Sequence, residues 1–332
     1  MHALVTGAGG FLGRYLVEQL VARGDRVRAF VRRADPEFAA QGVECPQGDI
    51  RDLPVLERAS RGVGVVFHVA AGTGIWGTWE YYHRINTLGT ENVITACRRT
   101  GVRKLVFTGS PSVTFAGRDQ CGLDESAHYP TRWLAHYPHS KALAEQHVLA
   151  ANDRDLLTCS LRPHLIWGPR DRHLVPRLIE RARLGQLRQV GDGKNLIDAV
   201  YVENAAAAHL LAADALDHGR ACGKAYFITN GEPVNCWQWI NEILALAGLP
   251  PVQRRIPFRA AYAAGAMLEG LWTVLGRTDE PPVTRFLAAQ LATSHYFDIT
   301  AARRDLGYEP QVSMAEGMWR LGEWLRAEAG SR

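Results

Sequence analysis

The run VTGAGGFLG, residues 5–13, sits between two segments of different periodicity and constrains the chain more than any other stretch. HALVTG (2–7) reads as a short strand, and FLGRYLVEQLVARG (11–24) carries the apolar spacing of a helix. The alternation recurs through the first half of the chain. Strands are expected at 2–7, 26–32, 63–70, 104–110 and 157–163, with helices such as 11–24 and 92–101 between them. The strands are near-continuous apolar runs, as befits strands buried on both faces. Strands separated by helices close right-handed crossovers, so the expected class is α/β, a doubly wound parallel sheet.

After about residue 167 the rhythm breaks. A loop and basic helix (168–195), two further strand–helix patterns (196–247) and a proline-interrupted helical tail follow. The expected organisation is a nucleotide-binding lobe of 1–167 plus parts of 196–247, and a smaller C-terminal substrate-binding lobe of 168–195 plus 248–332. The longest apolar stretch, 256–276, is broken by Arg259 and Glu269. It reads as an amphipathic helix packed on the main body, not as an integral membrane segment.

The loop's three glycines, Gly7, Gly10 and Gly13, allow close backbone approach to a pyrophosphate whose charge a helix N-terminus stabilises. The spacing is Gly-x-x-Gly-x-x-Gly, and its place between strand and helix makes it a dinucleotide loop. About twenty residues on, an acidic residue would select NAD by bonding the ribose hydroxyls. Here Val31 holds that place, followed by Arg32 and Arg33. Guanidinium groups suit a 2′-phosphate. NADP(H) is therefore the preferred cofactor, with NAD(H) the lesser alternative.

Tyr137 and Lys141, four apart, share one helical face. A nearby ammonium and an oxidised nicotinamide would both favour the phenolate, so the pair suits proton transfer at a carbonyl. VFTGSPS ends a strand with Thr108, Gly109 and Ser110, delivering a hydroxyl to the sheet edge where ligands bind. Ser112 offers a second hydroxyl; counting from the strand favours Ser110.

With 38 basic against 34 acidic residues, intermixed, the chain has no nucleic-acid-binding stripe. Six scattered cysteines read as reduced thiols of a cytoplasmic protein. The histidines lack metal-ligand spacing, and no metal is expected.

TGAGGFLG, GDIRDL, FHVAA, NTLGTENV, YPHSK and LRPHLIWGP fall in one order over nearly the whole chain. In this the chain resembles the extended short-chain dehydrogenase/reductases, whose fold is a Rossmann-type sheet with a smaller C-terminal lobe. The resemblance implies that Tyr137 is the proton donor or acceptor, that Ser110 bonds the substrate oxygen, and that Lys141 holds the nicotinamide ribose. It also implies that Asp49 and Ile50 flank the adenine, and that Phe11, Leu12, Ala70, Ala71, Thr108 and Pro163 line the cofactor. YPHSKALAEQHVLAAN looks like the 3β-hydroxysteroid dehydrogenase branch. That implies exchange of a 3-oxo and a 3-hydroxy group on a bulky apolar substrate, a 2-alkyl-3-oxo acid or a 3β-hydroxysteroid.

The rival is a nucleotide-sugar epimerase or dehydratase. Such enzymes carry an arginine where GDGKNLIDAVYV has Ile197, and Ile197 reads instead as an apolar pocket wall. Trp76, Tyr82 and His164 are further expected to touch substrate. A third reading, a dinucleotide-sensing regulator without catalysis, fits poorly with the tyrosine–lysine pair. The resemblance also suggests a homodimer joined through 86–99 and 137–149, with Ala142, Leu143, Leu149 and Ala150 at the interface or against the sheet.

Overall fold

The computed structural model describes residues 1–330. Its centre is a six-stranded, wholly parallel sheet. The strands are β1 (His2–Thr6), β2 (Arg26–Phe30), β3 (Val65–His68), β4 (Lys104–Thr108), β5 (Leu157–Pro163) and β6 (Lys224–Ile228). They lie in the order β2-β1-β3-β4-β5-β6. The chain after β2 adds two parallel bridges along the outer edge, Glu44 to Arg28 and Gln47 to Val31. Strand order therefore reverses between β1 and β3. Beyond the carboxyl ends of these two strands a crevice opens, the usual ligand position in such sheets.

Alternate strand residues feed two cores, because side chains on a strand point to opposite faces. Val5, Phe67 and Val106 pack with helices α1 (Phe11–Ala22) and α4 (Val202–Asp217). Leu4, Val66, Leu105 and Phe107 pack with α2 (Gly89–Thr100) and α3 (His136–Ala150). Each large aliphatic side chain so buried contributes about 1.5–3 kcal/mol. Ala205, Ala208 and Ala212 are fully buried, so α4 presents a smooth alanine surface to its neighbours.

A separate core gathers Trp167, Tyr201, Trp237, Trp239, Ile240 and Ile243 with Leu321 from the C-terminal helix. Beside it lies a small sheet that the sequence pattern did not reveal. The strand His295–Phe297 pairs with Gln120–Leu123, and His295 also pairs with Ile197. Strands of two to four residues are too short to display a period. The helix expected within 256–276 spans Phe258–Val274. It buries Ala261, Gly265 and Glu269 and leaves Met267, Leu271 and Val274 exposed.

Candidate active site

The glycine loop presses against the end of β3. Gly7 has a φ of 69°, and a Cβ there would stand 2.7 Å from the Ala70 Cα. A Cβ on Gly13 would fall on the Gly7 carbonyl oxygen. Gly9 and Gly10 stay exposed, and α1 starts at Gly10 with neither a side-chain cap nor an acidic residue in its first turn. An open cradle before an uncapped helix N-terminus fits a pyrophosphate. Phe11 is half-buried, Leu12 is buried, and Ala70 and Ala71 are half-buried beside the loop.

A buried polar chain fixes this geometry. The Thr90 hydroxyl donates to the Asn86 carbonyl at 2.6 Å, leaving a lone pair for His68 Nε2 at 2.9 Å. His68 Nδ1 is then the acceptor for the Thr6 hydroxyl at 2.7 Å, and Thr6 Oγ1 accepts from the Ala70 N–H at 3.3 Å. Burial lowers the His68 pKa to about 3, which keeps the ring neutral as this chain requires.

At the adenine end, Val31 is buried while Arg32 and Arg33 are exposed and form no ion pair among the described residues. The Asp49 carboxylate is gripped by Arg51 at 2.9 and 2.8 Å, and that bonding lowers its pKa. Arg51 was not singled out in the sequence, although it is adjacent to Ile50. The Ile50 side chain packs in the core against Gly89, so any contact it makes with adenine is through its backbone.

Tyr137 and Ser110 come together in a cavity of about 240 Å³. Ser112, Pro163, His164 and Gln120 share its wall with Ile75, Leu165, Phe286, Gln290, His295 and Phe297. The Ser110 hydroxyl is 2.8 Å from that of Ser112. Burial raises the Tyr137 pKa, and a hydrogen bond with Ser110 pulls the other way. Lys141 does not offset that rise, contrary to expectation. Its ammonium donates to the Thr108 carbonyl at 2.6 Å and lies 4.0 Å above the Phe107 ring, and burial lowers its pKa to about 7. The Thr108 hydroxyl is 2.8 Å from His209 Nε2, behind the cavity.

Three expected substrate contacts lie elsewhere. Tyr82 is buried, edge-on to Tyr137 with ring centroids 6.0 Å apart, and its hydroxyl donates to the Trp76 carbonyl at 3.0 Å. It therefore braces the loop instead of lining the cavity. Trp76 contributes that carbonyl while its neighbours Thr73, Gly74 and Ile75 form the wall. Ile197 is buried in the separate core, because its short strand turns the side chain away from the cavity. The outer aromatic Trp79 stacks near His139.

Asn86, within NTLGTENV, was not singled out as a site residue. Its amide oxygen accepts from Gly72 N at 2.7 Å, and its Nδ2 donates to Gly72 O at 3.1 Å and Ser140 Oγ at 3.0 Å. It ties the segment after β3 to the helix that carries Tyr137. It sits in a π-helical turn, His83–Leu88, a feature frequent at functional sites. Leu165, next to His164, has a φ of 42°, a left-handed conformation costing about 1–3 kcal/mol for such a residue.

The model of the 3-beta hydroxysteroid dehydrogenase/isomerase family matches residues 4–258. The chain is 51% identical to the 2-alkyl-3-oxoalkanoate reductase of Stenotrophomonas maltophilia, covering 97% of this chain and 98% of that protein. It is 38% identical to the human decarboxylating sterol-4-alpha-carboxylate 3-dehydrogenase, covering 97% of this chain and 87% of that one. Among solved structures, the UDP-glucose 4-epimerase of Thermus thermophilus in complex with NAD is similar with a TM-score of 0.73 and 27% identity, covering 98% of this chain and 99% of that one. The branch expected from the YPHSK helix is thus the one that matches. With relatives that are reductases and dehydrogenases over nearly its whole length, this chain is an oxidoreductase, and it belongs to the 3-beta hydroxysteroid dehydrogenase/isomerase family.

Proposed function

We propose that the chain is a nicotinamide-dependent oxidoreductase that interconverts the 3-oxo and 3-hydroxy groups of a bulky apolar substrate, a 2-alkyl-3-oxo acid above all. The observation that carries the reading is the convergence of the Tyr137 and Ser110 hydroxyls in one cavity whose other walls include Ile75, Leu165, Phe286 and Phe297. Bound nicotinamide supplies or accepts the hydride. Tyr137 donates its proton to the carbonyl oxygen in reduction and accepts one in oxidation. Ser110 donates a hydrogen bond to the same oxygen, so developing negative charge meets two O–H donors. Lys141, fixed by Thr108, serves the ribose with its remaining ammonium protons.

Gly7, Gly10, Phe11, Leu12 and Gly13 hold the pyrophosphate, with Ala70, Ala71 and Pro163 alongside. Arg32 and Arg33, exposed and without ion pairs, support NADP(H) over NAD(H). Residues 1–167 with parts of 196–247 form the nucleotide lobe, and 168–195 with 248–330 the substrate lobe; 331–332 of the expected lobe lie outside the described residues. The cavity draws on both, with Ser110 and Tyr137 from the first and Phe286 and Gln290 from the second. Two copies associate through α2 and α3, where Leu143 and Leu149 are half-exposed; Ala142 is buried in its own subunit. Six unpaired cysteines support a cytoplasmic reading. No helix among the described residues is long and apolar enough to cross a membrane.

The epimerase reading has the solved structures in its favour. Against it, no arginine or lysine among the described residues lines the cavity to pair with a sugar-nucleotide pyrophosphate. The test is NADPH and NADH oxidation with a panel of 2-alkyl-3-oxo acids and 3-oxosteroids, together with chromatographic conversion of nucleotide sugars, since an epimerase or dehydratase returns its hydride and shows no net cofactor oxidation. Turnover confined to the first two classes is expected. Turnover of nucleotide sugars alone contradicts the reading, and cofactor binding without any turnover favours a sensor.

A further inference from the structure

The cavity wall contains a buried ionisable chain that the reaction above leaves unused. His164 Nδ1 lies 2.6 Å from Asp198 Oδ1, and His164 Nε2 lies 3.2 Å from His295 Nδ1. His295 Nε2 lies 2.9 Å from the Gln290 carbonyl, and Asp198 Oδ2 accepts from the Phe297 N–H at 2.8 Å. All three side chains are buried, Asp198 completely. The chain is assembled from three distant segments: the end of β5, the turn after Leu196–Ile197, and the strand His295–Phe297.

Counting protons places one positive charge on the two imidazoles, balanced by the Asp198 carboxylate. A carbonyl only accepts, so His295 Nε2 carries a proton. The Asp198 carboxylate also accepts, so His164 Nδ1 carries another. The contact between the two rings then needs a third proton, since two lone pairs facing at 3.2 Å repel. Two imidazoles with three protons hold one positive charge. Burial and the neighbouring His164 both lower the His295 pKa, and His164 is the ring that faces the Asp198 carboxylate, at 2.6 Å.

Among the described residues no lysine or arginine lines the cavity, and His164 and His295 are the only ones in its wall able to carry positive charge. Both named relatives act on molecules bearing a carboxylate on the carbon next to the reacting one, at C2 beside a 3-oxo group or at C4 beside C3 of a sterol. The geometry points to the Asp198-backed His164–His295 pair as the carboxylate-recognition element of this cavity, specific for acids whose carboxylate neighbours the reacting carbon. This rests on the oxidoreductase reading above.

The 3.2 Å ring–ring bond is the longest side-chain link of the chain. A carboxylate oxygen is a stronger acceptor for the His164 Nε2 proton than an imidazole nitrogen, and the resulting bond is charge-assisted. The Gln290 side-chain amide, half-buried in the same wall and without a hydrogen bond inside the protein, supplies a second donor. Asp198 acts through His164 and is a positioning residue.

The test uses 2-alkyl-3-hydroxy acids and their methyl esters with NADP⁺ or NAD⁺, because 3-oxo acids lose carbon dioxide spontaneously. In the wild type, kcat/KM for the acid is expected to exceed that for the ester by about tenfold or more, the scale of a charge-assisted hydrogen bond. His164→Gln keeps bulk and a donor but removes the charge, and should lower the acid-to-ester ratio at least about tenfold, through KM for the acid. An unchanged ratio overturns the proposal. Should His164→Gln fail to fold, competition on the wild-type enzyme decides. Inhibition by the acid at least about tenfold stronger than by a non-reacting ester of the same skeleton supports the assignment, and equal inhibition overturns it. Wild-type turnover of neither acid nor ester defeats the oxidoreductase reading itself; equal turnover of both defeats only the carboxylate assignment.

Discussion

The Lys141 ammonium donates to the Thr108 carbonyl at 2.6 Å, joining the second turn of the Tyr137 helix to the last residue of the strand that leads to Ser110. One buried bond thus fixes how the two hydroxyls of the cavity stand relative to each other. A lysine so placed is kept by geometry, because burial works against its charge and lowers its pKa to about 7.

That shift has a consequence for stability. The unfolded chain keeps the Lys141 proton up to about pH 10, whereas the folded protein releases it near 7. Between those values the unfolded state binds more protons, so this group makes stability rise with pH, and its destabilising effect is complete below 7. Lys141→Met should therefore be more stable relative to wild type at about pH 7 than at about pH 10. Urea unfolding of both proteins at the two pH values checks this. A pH-independent difference contradicts it.

Arg32 is exposed and unpaired at the expected 2′-phosphate position. Arg32→Ala should raise the Michaelis constant for NADPH by about tenfold to a hundredfold, the loss of a charge-assisted bond, and leave that for NADH within about threefold. Steady-state kinetics with both cofactors measures it. An unaltered NADPH constant removes Arg32 from the account.

Asn86 satisfies both backbone groups of Gly72 and the Ser140 hydroxyl. Asn86→Ala leaves a buried N–H and C=O without partners and should cost about 2–4 kcal/mol of folding stability. Denaturant unfolding gives the value. A loss below about 0.5 kcal/mol, within the range of ordinary surface changes, would mean water replaces the amide.

The α2–α3 face predicts assembly. Leu143→Arg places a charge on a half-exposed apolar position of α3 and should convert a dimer to a monomer in sedimentation velocity, with the fold retained by circular dichroism. A monomeric wild type contradicts the dimer.

Buried parallel strands were the most legible part of the chain, since their apolar runs need no partner to be recognised; the expected 157–163 coincides with β5. The glycine loop was legible for a similar reason: backbone approach demands glycine whatever packs around it. Side-chain direction was not legible. Trp76, Tyr82 and Ile197 have the right residue types for an apolar wall, yet Tyr82 braces Tyr137 and Ile197 turns into the other core. Gln120 and His295 reach the cavity through a sheet of two- to four-residue strands, Gln290 through the helix Arg285–Ala292, and His295 meets His164 across 131 positions of sequence. Such contacts are products of tertiary pairing and leave no local period.

The central claim is that the Tyr137 phenol carries the proton. Tyr137→Phe retains the ring and its packing on Tyr82 while deleting the hydroxyl. Cofactor affinity by fluorescence titration and oxidation of a 2-alkyl-3-hydroxy acid should be measured on the same preparation. The account expects affinity within about threefold of wild type and turnover lower by about a hundredfold or more. Turnover within about threefold of wild type would contradict it.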